Sequence, residues 1–196
     1  SPALSAALPY AARNNSQKWK MICVPRGNRV GRVVNLTRSN IGCDLVLEAA
    51  SLPSGISLDR DTAPRSINTM PVVFEATAEA EIAGGLYNLH VKDPKSGLSG
   101  PLKESIHHIE VNNAGTFHSY HDERLSIAVI EEAPFDLTLE VPPVPLVKNG
   151  VMSLKIVAKR HPEFKEAITV TLPWRPPGVS APSSVTIPKE QNEVIM

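Results

Sequence analysis

This sequence of 196 residues contains few aromatic residues and no excess of either charge. Phe, Trp and Tyr together make up 5% of the chain, which leaves few rings to stack against sugars or bases. The 20 Lys and Arg residues are balanced by 20 Asp and Glu residues, so the net charge provides no attraction to nucleic acid or to an acidic membrane surface. Both shortages argue against a nucleic-acid-binding protein.

Long apolar runs are missing as well. No stretch reaches the ~18 consecutive apolar residues that a membrane-spanning helix needs. The small, apolar residues at positions 1–12 carry no basic region of the kind that opens a secretory signal peptide. The sequence therefore predicts no membrane span and no signal peptide within these residues.

Cysteine is limited to Cys23 and Cys43. Two thiols cannot complete a structural zinc site by themselves. Neighbouring strands could bring the two residues within disulfide distance, but free thiols that pack as small apolar groups are the more common arrangement. The sequence favours free thiols and leaves the disulfide open.

Proline, in contrast, is abundant. The chain contains 18 Pro residues, nearly twice the usual share, and they are scattered along its length. Proline at this density argues against long helices and favours short strands joined by turns. With 42% hydrophobic residues, the composition is that of a folded all-β protein.

Short strand-like segments separated by turn residues fill the first half of the chain. Leu45, Leu47 and Ala49 alternate with more polar neighbours, as in a half-buried strand, and a turn follows at residues 52–55. The other strand-like segments are residues 20–24, 30–36, 71–76, 86–91 and 106–111. This regular spacing of short strands is typical of an immunoglobulin-like sandwich.

The second half repeats this plan. Residues 52–57, Leu-Pro-Ser-Gly-Ile-Ser, match residues 175–180, Arg-Pro-Pro-Gly-Val-Ser, at an offset of 123. The same offset aligns apolar positions 45, 47 and 49 with 168, 170 and 172. One strand earlier, an offset of 122 aligns positions 30, 34 and 36 with 152, 156 and 158. The sequence therefore predicts two copies of one fold, as tandem immunoglobulin-like β-sandwiches.

The repeat also suggests a division of the chain into four parts. We expect a lead-in or linker at residues 1–18, a first sandwich at 19–113, an inter-domain linker at 114–124 and a second sandwich at 125–196. The second sandwich is expected to be incomplete at its C-terminus, as part of a longer protein. Its apolar strand faces would then need cover from elsewhere.

A family resemblance rests on residues 135–147 and 175–188. They resemble the immunoglobulin-like repeats of large secreted bacterial proteins that also carry pre-peptidase C-terminal domains. The most specific part is Pro-Pro-Gly-Val-Ser at residues 176–180, and the similarity extends over roughly residues 20–196. The first copy looks alike, with Val-Pro-Arg-Gly at residues 24–27.

This resemblance implies an exported, multidomain and non-catalytic protein that is secreted, periplasmic or at the cell surface. Its partners would be flanking domains of the same chain and protein or polysaccharide at the cell surface. The family pattern supplies no catalytic residue and no cofactor-binding residue.

Histidine and acidic residues give weak hints of a metal site. His118, His121 and Asp122 lie close together, and on a helix the spacing of the two histidines could place both on one ion. The surrounding pattern predicts a solvated loop, so these three residues are weak candidates. Asp59 and Asp61 could offer oxygens to calcium, but without the Gly and Glu of an EF-hand loop a turn role is favoured. We expect no metal and no cofactor.

Two classes of function remain. The favoured class is a non-catalytic structural or interaction module, a pair of spacer or adhesion-type immunoglobulin-like domains. The alternative is a carbohydrate- or substrate-binding accessory domain of a secreted hydrolase, which would show a row of exposed aromatic rings. Trp174 shares the strand parity of Ile168 and Val170, which indicates a core position. No motif of a nucleophilic or metal-dependent hydrolase is present, so we expect the chain not to be an enzyme.

Overall fold

A computed structural model describes residues 2–8, 21–60, 62–110 and 116–196. Within these ranges, side chains are described except at residues 60, 105–110 and 116–119. The described residues form strands and turns, and none of them is helical. The prediction of an all-β protein with sandwich-like packing is confirmed.

The chain divides into two compact units, Ser1–Glu132 and Ala133–Met196. The described strands of the first unit are β1 (Ala3–Ala7), β2 (Ile22–Pro25), β3 (Arg29–Ser39), β4 (Val46–Ala49), β5 (Ile56–Arg60), β6 (Thr69–Ala76), β7 (Gly84–Lys92), β8 (Ser99–Glu110), β9 (Thr116–Asp122) and β10 (Arg124–Ile130). Those of the second unit are β11 (Phe135–Leu139), β12 (Lys155–Arg160), β13 (Ile168–Thr171), β14 (Ser184–Ile187) and β15 (Glu193–Ile195).

The strands of the first unit form two layers. In one layer β3 pairs antiparallel with β1 and β6, and β6 pairs with β5. In the other layer β7 pairs antiparallel with β4 and β10, and β10 pairs in parallel with β2. Strand β8 connects the layers, because its first residues pair with β7 and the next ones pair in parallel with β1.

Alternate residues of both layers face one core, since successive side chains of a strand point to opposite faces. The deeply buried residues of β6 are Met70, Val72, Phe74 and Ala76. Those of the opposite layer include Ile22, Val24, Leu47, Leu89, Val91, Leu125, Ile127 and Val129. All of them belong to one apolar cluster, and each large side chain contributes about 1.5–3 kcal/mol when it is fully buried.

The expectation of a lead-in or linker at residues 1–18 is wrong at residues 3–7, which form β1. Ala3–Ala7 pairs with both β3 and β8 and is part of the sheet. Its small side chains carry little of the β-branched or aromatic signal by which a strand is recognised in a sequence. At Gly100 of β8 an added Cβ would lie 1.7 Å from the carbonyl oxygen of Leu4, so only glycine permits this approach.

The boundary between the units lies later than the sequence suggested. Strand β10 was expected in the second sandwich, but it pairs with β2 and β7 of the first unit and its apolar residues are buried there. The expected linker at residues 114–124 contains β9, which pairs with β8, whereas residues 111–115 lie outside the described ranges. Alternation identifies a strand but does not reveal which sheet it joins.

The second unit is built from five strands. Strand β12 pairs antiparallel with β11 and β15, and β13 pairs with β14. Ile156, Ala158, Ile168 and Ile187 form its buried core. The apolar strand faces of the second unit are therefore partly covered within the unit itself, because β14 supplies the fully buried Ile187.

The same strand arrangement occurs in both units. Strand β12 lies between β11 and β15 as β3 lies between β1 and β6. In the first unit the Leu36 N–H donates to the carbonyl of Asn68 at 2.8 Å, and in the second the Ala158 N–H donates to the carbonyl of Asn192, also at 2.8 Å. The sequence offset of 122 therefore relates equivalent positions of two folded copies.

The turns between these strands are repeated as well. The Ile56 N–H donates to the carbonyl of Pro53, and the Val179 N–H donates to the carbonyl of Pro176, both at 3.0 Å. Gly55 has a φ of 80° and its counterpart Gly178 a φ of 84°. Both values lie in the left-handed region that favours glycine, which explains why glycine occurs at this turn position in both copies.

Candidate functional site

One arginine of the first unit joins two loops through their carbonyl groups. Arg38 lies near the end of β3, and its Nη1 donates to the carbonyl of Cys43 at 3.0 Å. Its Nη2 donates to the carbonyls of Ile67, at 2.6 Å, and of Pro64, at 3.3 Å. The guanidinium therefore fixes the loop after β3 to the loop before β6.

Arg160, which follows Arg38 by 122 residues, does the same in the second unit. Its Nη1 donates to the carbonyl of Glu166 at 2.5 Å, and its Nε donates to the carbonyl of Gln191 at 2.9 Å. Its Nη2 donates to the carbonyl of Pro188 at 3.1 Å. We call Arg38 and Arg160 the loop arginines; both donate several charge-assisted hydrogen bonds to backbone carbonyls.

The loop arginine of the second unit has an additional aromatic neighbour. The guanidinium carbon of Arg160 lies 5.6 Å from the ring centre of Phe164, within the range of a cation–π contact. Phe164 in turn lies 5.3 Å from Phe135, between ring centres. These rings pack against the core of the second unit, so the arginine links the loop to that core.

The second polar feature is a turn between β7 and β8 that is organised by Asp93. This side chain is 6% exposed and accepts hydrogen bonds from the Lys95 N–H at 2.8 Å and the Ser96 hydroxyl at 2.5 Å. Hydrogen bonds from Ser96, from the thiol of Cys43 and from the Lys95 N–H hold the pKa of Asp93 at about 2. The carboxylate is therefore ionised at neutral pH and stabilises the turn.

Cys43 is held in its protonated form by the same contact. The hydrogen bond to Asp93 raises the pKa of the Cys43 thiol, and burial adds to the effect. Nucleophilic and metal-binding cysteines need the thiolate, so this environment works against both roles. Asp93 and Cys43 also line an open depression with Asn40, Ser96 and Leu98.

Both cysteines are free thiols in the structure, as the sequence favoured. Cys23 lies on β2, opposite Ala128 of β10, and Cys43 lies in the loop between β3 and β4. Neither is fully exposed.

The three weak metal candidates lie on β9 rather than in a loop. The carboxylate of Asp122 accepts two hydrogen bonds from the guanidinium of Arg124, at 3.1 and 3.0 Å, and one from its N–H. These bonds lower the pKa of Asp122. His121 is exposed, and the side chain of His118 lies outside those described. The predicted loop is replaced by a strand because β9 pairs with β8.

The remaining acidic candidates are only partly described. Asp59 lies exposed on β5, whereas Asp61 lies outside the described residues. Within the described part of the chain, no group of three or more His, Cys, Asp or Glu side chains is arranged to hold a metal ion.

Most of the described aromatic side chains are buried or half-buried. Trp174 lies beyond the end of β13 and is half-buried. Among the described residues, one aromatic side chain is exposed, that of Tyr120, at 54%. The described surface therefore shows a single exposed ring rather than a row.

The loop arginines and Asp93 were not recognised in the sequence. Arg38 and Arg160 fall at the offset that aligned their own strands, so extending that alignment by two residues beyond position 36 would have paired them. Asp93 carries a weaker signal, the turn-forming sequence Asp-Pro-Lys-Ser-Gly at residues 93–97.

Comparisons with protein-family models and with curated proteins found no match for this chain. Within the described ranges, no helix is long and apolar enough to cross a membrane.

Proposed function

We propose that this chain is a non-catalytic structural module, a pair of immunoglobulin-like spacer domains in an exported multidomain protein. The observation that carries the proposal is the repetition of the loop arginines. Each unit uses the same residue type at the same position to tie the same two loops together. A feature repeated in both copies serves the shared frame rather than one binding site.

The remaining polar groups support the same function. Asp93 and Asp122 are engaged by neighbours on their own turns, and Cys43 is kept as a neutral thiol. Charged side chains used in this way stabilise loops and are not available to a substrate. Export rests on the family resemblance described above.

A spacer has to keep its length under load, so single-molecule stretching of the full chain between surface handles tests the proposal. We expect two separate unfolding events. At about 3.6 Å per extended residue, complete extension of the two units gives contour lengths of about 470 Å and about 230 Å before subtraction of their folded spans. Extension without discrete events would contradict the spacer role.

A binding screen tests the alternative of a carbohydrate-binding accessory domain. The full chain is incubated with cellulose, chitin, xylan and alginate, and a Tyr120→Ala variant serves as the matched control because Tyr120 is exposed. We expect equal and non-saturable retention of both proteins. Saturable binding that is lost in the variant would establish the alternative function.

A further inference from the structure

A turn at residues 147–150 of the second unit repeats the turn that follows β2 in the first unit. In the first unit the Asn28 N–H donates to the carbonyl of Pro25 at 3.1 Å, and in the second unit the Gly150 N–H donates to the carbonyl of Val147 at 2.9 Å. Equivalent residues of the two turns lie 122 positions apart. The offset that relates the central strands therefore relates these turns as well.

The third position of this turn has the same unusual backbone conformation in both units. Its φ is 66° at Gly27 and 60° at Asn149. Both values lie in the left-handed region, which glycine adopts at no steric cost and asparagine adopts more readily than most other residues. The turn therefore restricts this position to a few residue types, of which the first unit has Gly and the second unit has Asn.

The fourth position of the turn in the second unit excludes a side chain. A Cβ added at Gly150 would lie 2.8 Å from Cγ2 of Val147 and 3.0 Å from the carbonyl oxygen of the same residue. That oxygen accepts the hydrogen bond of the turn, so it cannot move away without loss of the bond. The fold thus places Asn149 directly before a glycine, and this is the single Asn-Gly pair of the sequence.

This pair of residues is chemically labile. Asparagine is among the thermolabile residues of proteins, because the backbone nitrogen of the following residue can attack its side-chain carbonyl carbon. A side chain on the following residue shields that nitrogen, and Gly150 has none. Asn149 and Gly150 are both exposed to water. Gly27 is exposed as well, in a unit where β10 covers one side of β2, so exposure is a property of the turn itself.

We propose that Asn149 is a site of spontaneous deamidation in the folded chain. The Gly150 nitrogen gives up its proton and forms a bond to Cγ of Asn149, the bond between Cγ and Nδ2 breaks, and the amide nitrogen leaves with that proton as ammonia. Water then opens the resulting succinimide at either of its carbonyl carbons, which gives aspartate or isoaspartate. This modification goes beyond the spacer role and does not depend on it.

One hydrogen bond controls the rate in the folded chain. The Gly150 N–H is held by the carbonyl of Val147, within the same four-residue turn, and residues 147–150 belong to no strand. Exposed turns open locally at a small cost in free energy, so the nitrogen becomes available without the unpairing of a strand. We therefore expect deamidation in the folded chain, at a lower rate than in the denatured chain.

The test is incubation of the full chain in mildly alkaline buffer, followed by proteolysis and mass spectrometry of the peptides. Asn40 is a control within the same molecule, because it is exposed and has a φ of 54° but precedes Ile41. The β-branched side chain of Ile41 shields the backbone nitrogen, so Asn149 should be converted at least about tenfold faster than Asn40. Asn149→Gly introduces the residue of the first unit and should abolish the conversion while the melting temperature is kept.

The form of the product distinguishes this reaction from direct hydrolysis of the side-chain amide, which gives aspartate alone. Isoaspartate lengthens the backbone of the turn by one carbon atom, so the isolated isoaspartate form should show a lowered melting temperature of the second unit. Asn149→Asp should melt as the parent does, since aspartate also tolerates a positive φ.

Four results would overturn the proposal: no conversion at Asn149, equal conversion of Asn149 and Asn40, aspartate without isoaspartate, or conversion in denaturant alone.

Discussion

The two units share the same central strands and turns but differ in the strands that cover their cores. Both have a central strand with an antiparallel partner on each side, a glycine turn at the same position and a loop arginine at the end of the central strand. The first unit adds β7 and β10, which close the second layer over one large core. The second unit has a core of four deeply buried residues. The frame is therefore set by local turns and loop contacts, whereas the extent of the core depends on how many strands cover it.

The largest expected effect is a loss of stability in the first unit alone. Gly100→Ala places a Cβ against the backbone of β1, and no rotamer change relieves a contact with a carbonyl oxygen, so we expect a loss of more than about 4 kcal/mol from the first unit. No described strand of the second unit corresponds to β8, so this unit should keep its own transition. Calorimetry of the full chain would show this, and a simultaneous shift of both transitions would contradict the independence of the units.

The loop arginines provide a matched pair of substitutions. Arg38→Ala and Arg160→Ala each remove several hydrogen bonds from a charged donor, and we expect a loss of about 2–3 kcal/mol in the unit concerned. Chemical denaturation followed separately in each unit by amide signals measures the effect. If Arg38→Lys and Arg160→Lys restored the full stability, a single point charge would suffice and the multiple carbonyl contacts would not matter.

The two turn glycines should differ in a predictable direction. Both have positive φ, which costs an alanine about 1–2 kcal/mol. At Gly55 a new Cβ would also lie 2.7 Å from the Cβ of Ala80, whereas at Gly178 nothing lies within 4 Å. We therefore expect Gly55→Ala to be more destabilising than Gly178→Ala by about 1 kcal/mol or more. Equal losses in denaturant midpoints would show that backbone strain alone decides the cost.

The smallest expected effect is on the stability of the first unit at acidic pH. The pKa of Asp93 is depressed to about 2 in the folded first unit, against roughly 3.9 in an unfolded chain. Its ionisation therefore stabilises the fold above pH ~4, and this contribution is lost as the pH falls from ~4 towards ~2. Asp93→Asn should lower stability at pH 7 and flatten this part of the pH dependence. A variant with the parent's profile would show that the turn does not depend on the carboxylate.

The sequence predicted the strands better than their partners. Alternation located β4, β6 and β7 to within a few residues, and the offset of 122–123 aligned positions that are structurally equivalent. It did not detect β1, whose residues are small, and it assigned β10 to the wrong unit because periodicity contains no information about pairing. The loop arginines were missed for a related reason: their partners are backbone carbonyls, which leave no trace in the sequence of the loops they belong to.

The parallel pair of β2 and β10 has a consequence for the time course of folding. It joins Ile22 to Ile127, and β1 joins Ala6 to Leu102, so the first unit closes contacts between residues about one hundred positions apart. In the second unit β12 meets β11 and β15, its partners within about forty residues. Since folding slows as contacting residues become more distant along the chain, the second unit should fold faster. During synthesis, the first unit has to wait for β10 before its core can close, and until then Ile22 and Val24 are available to other chains.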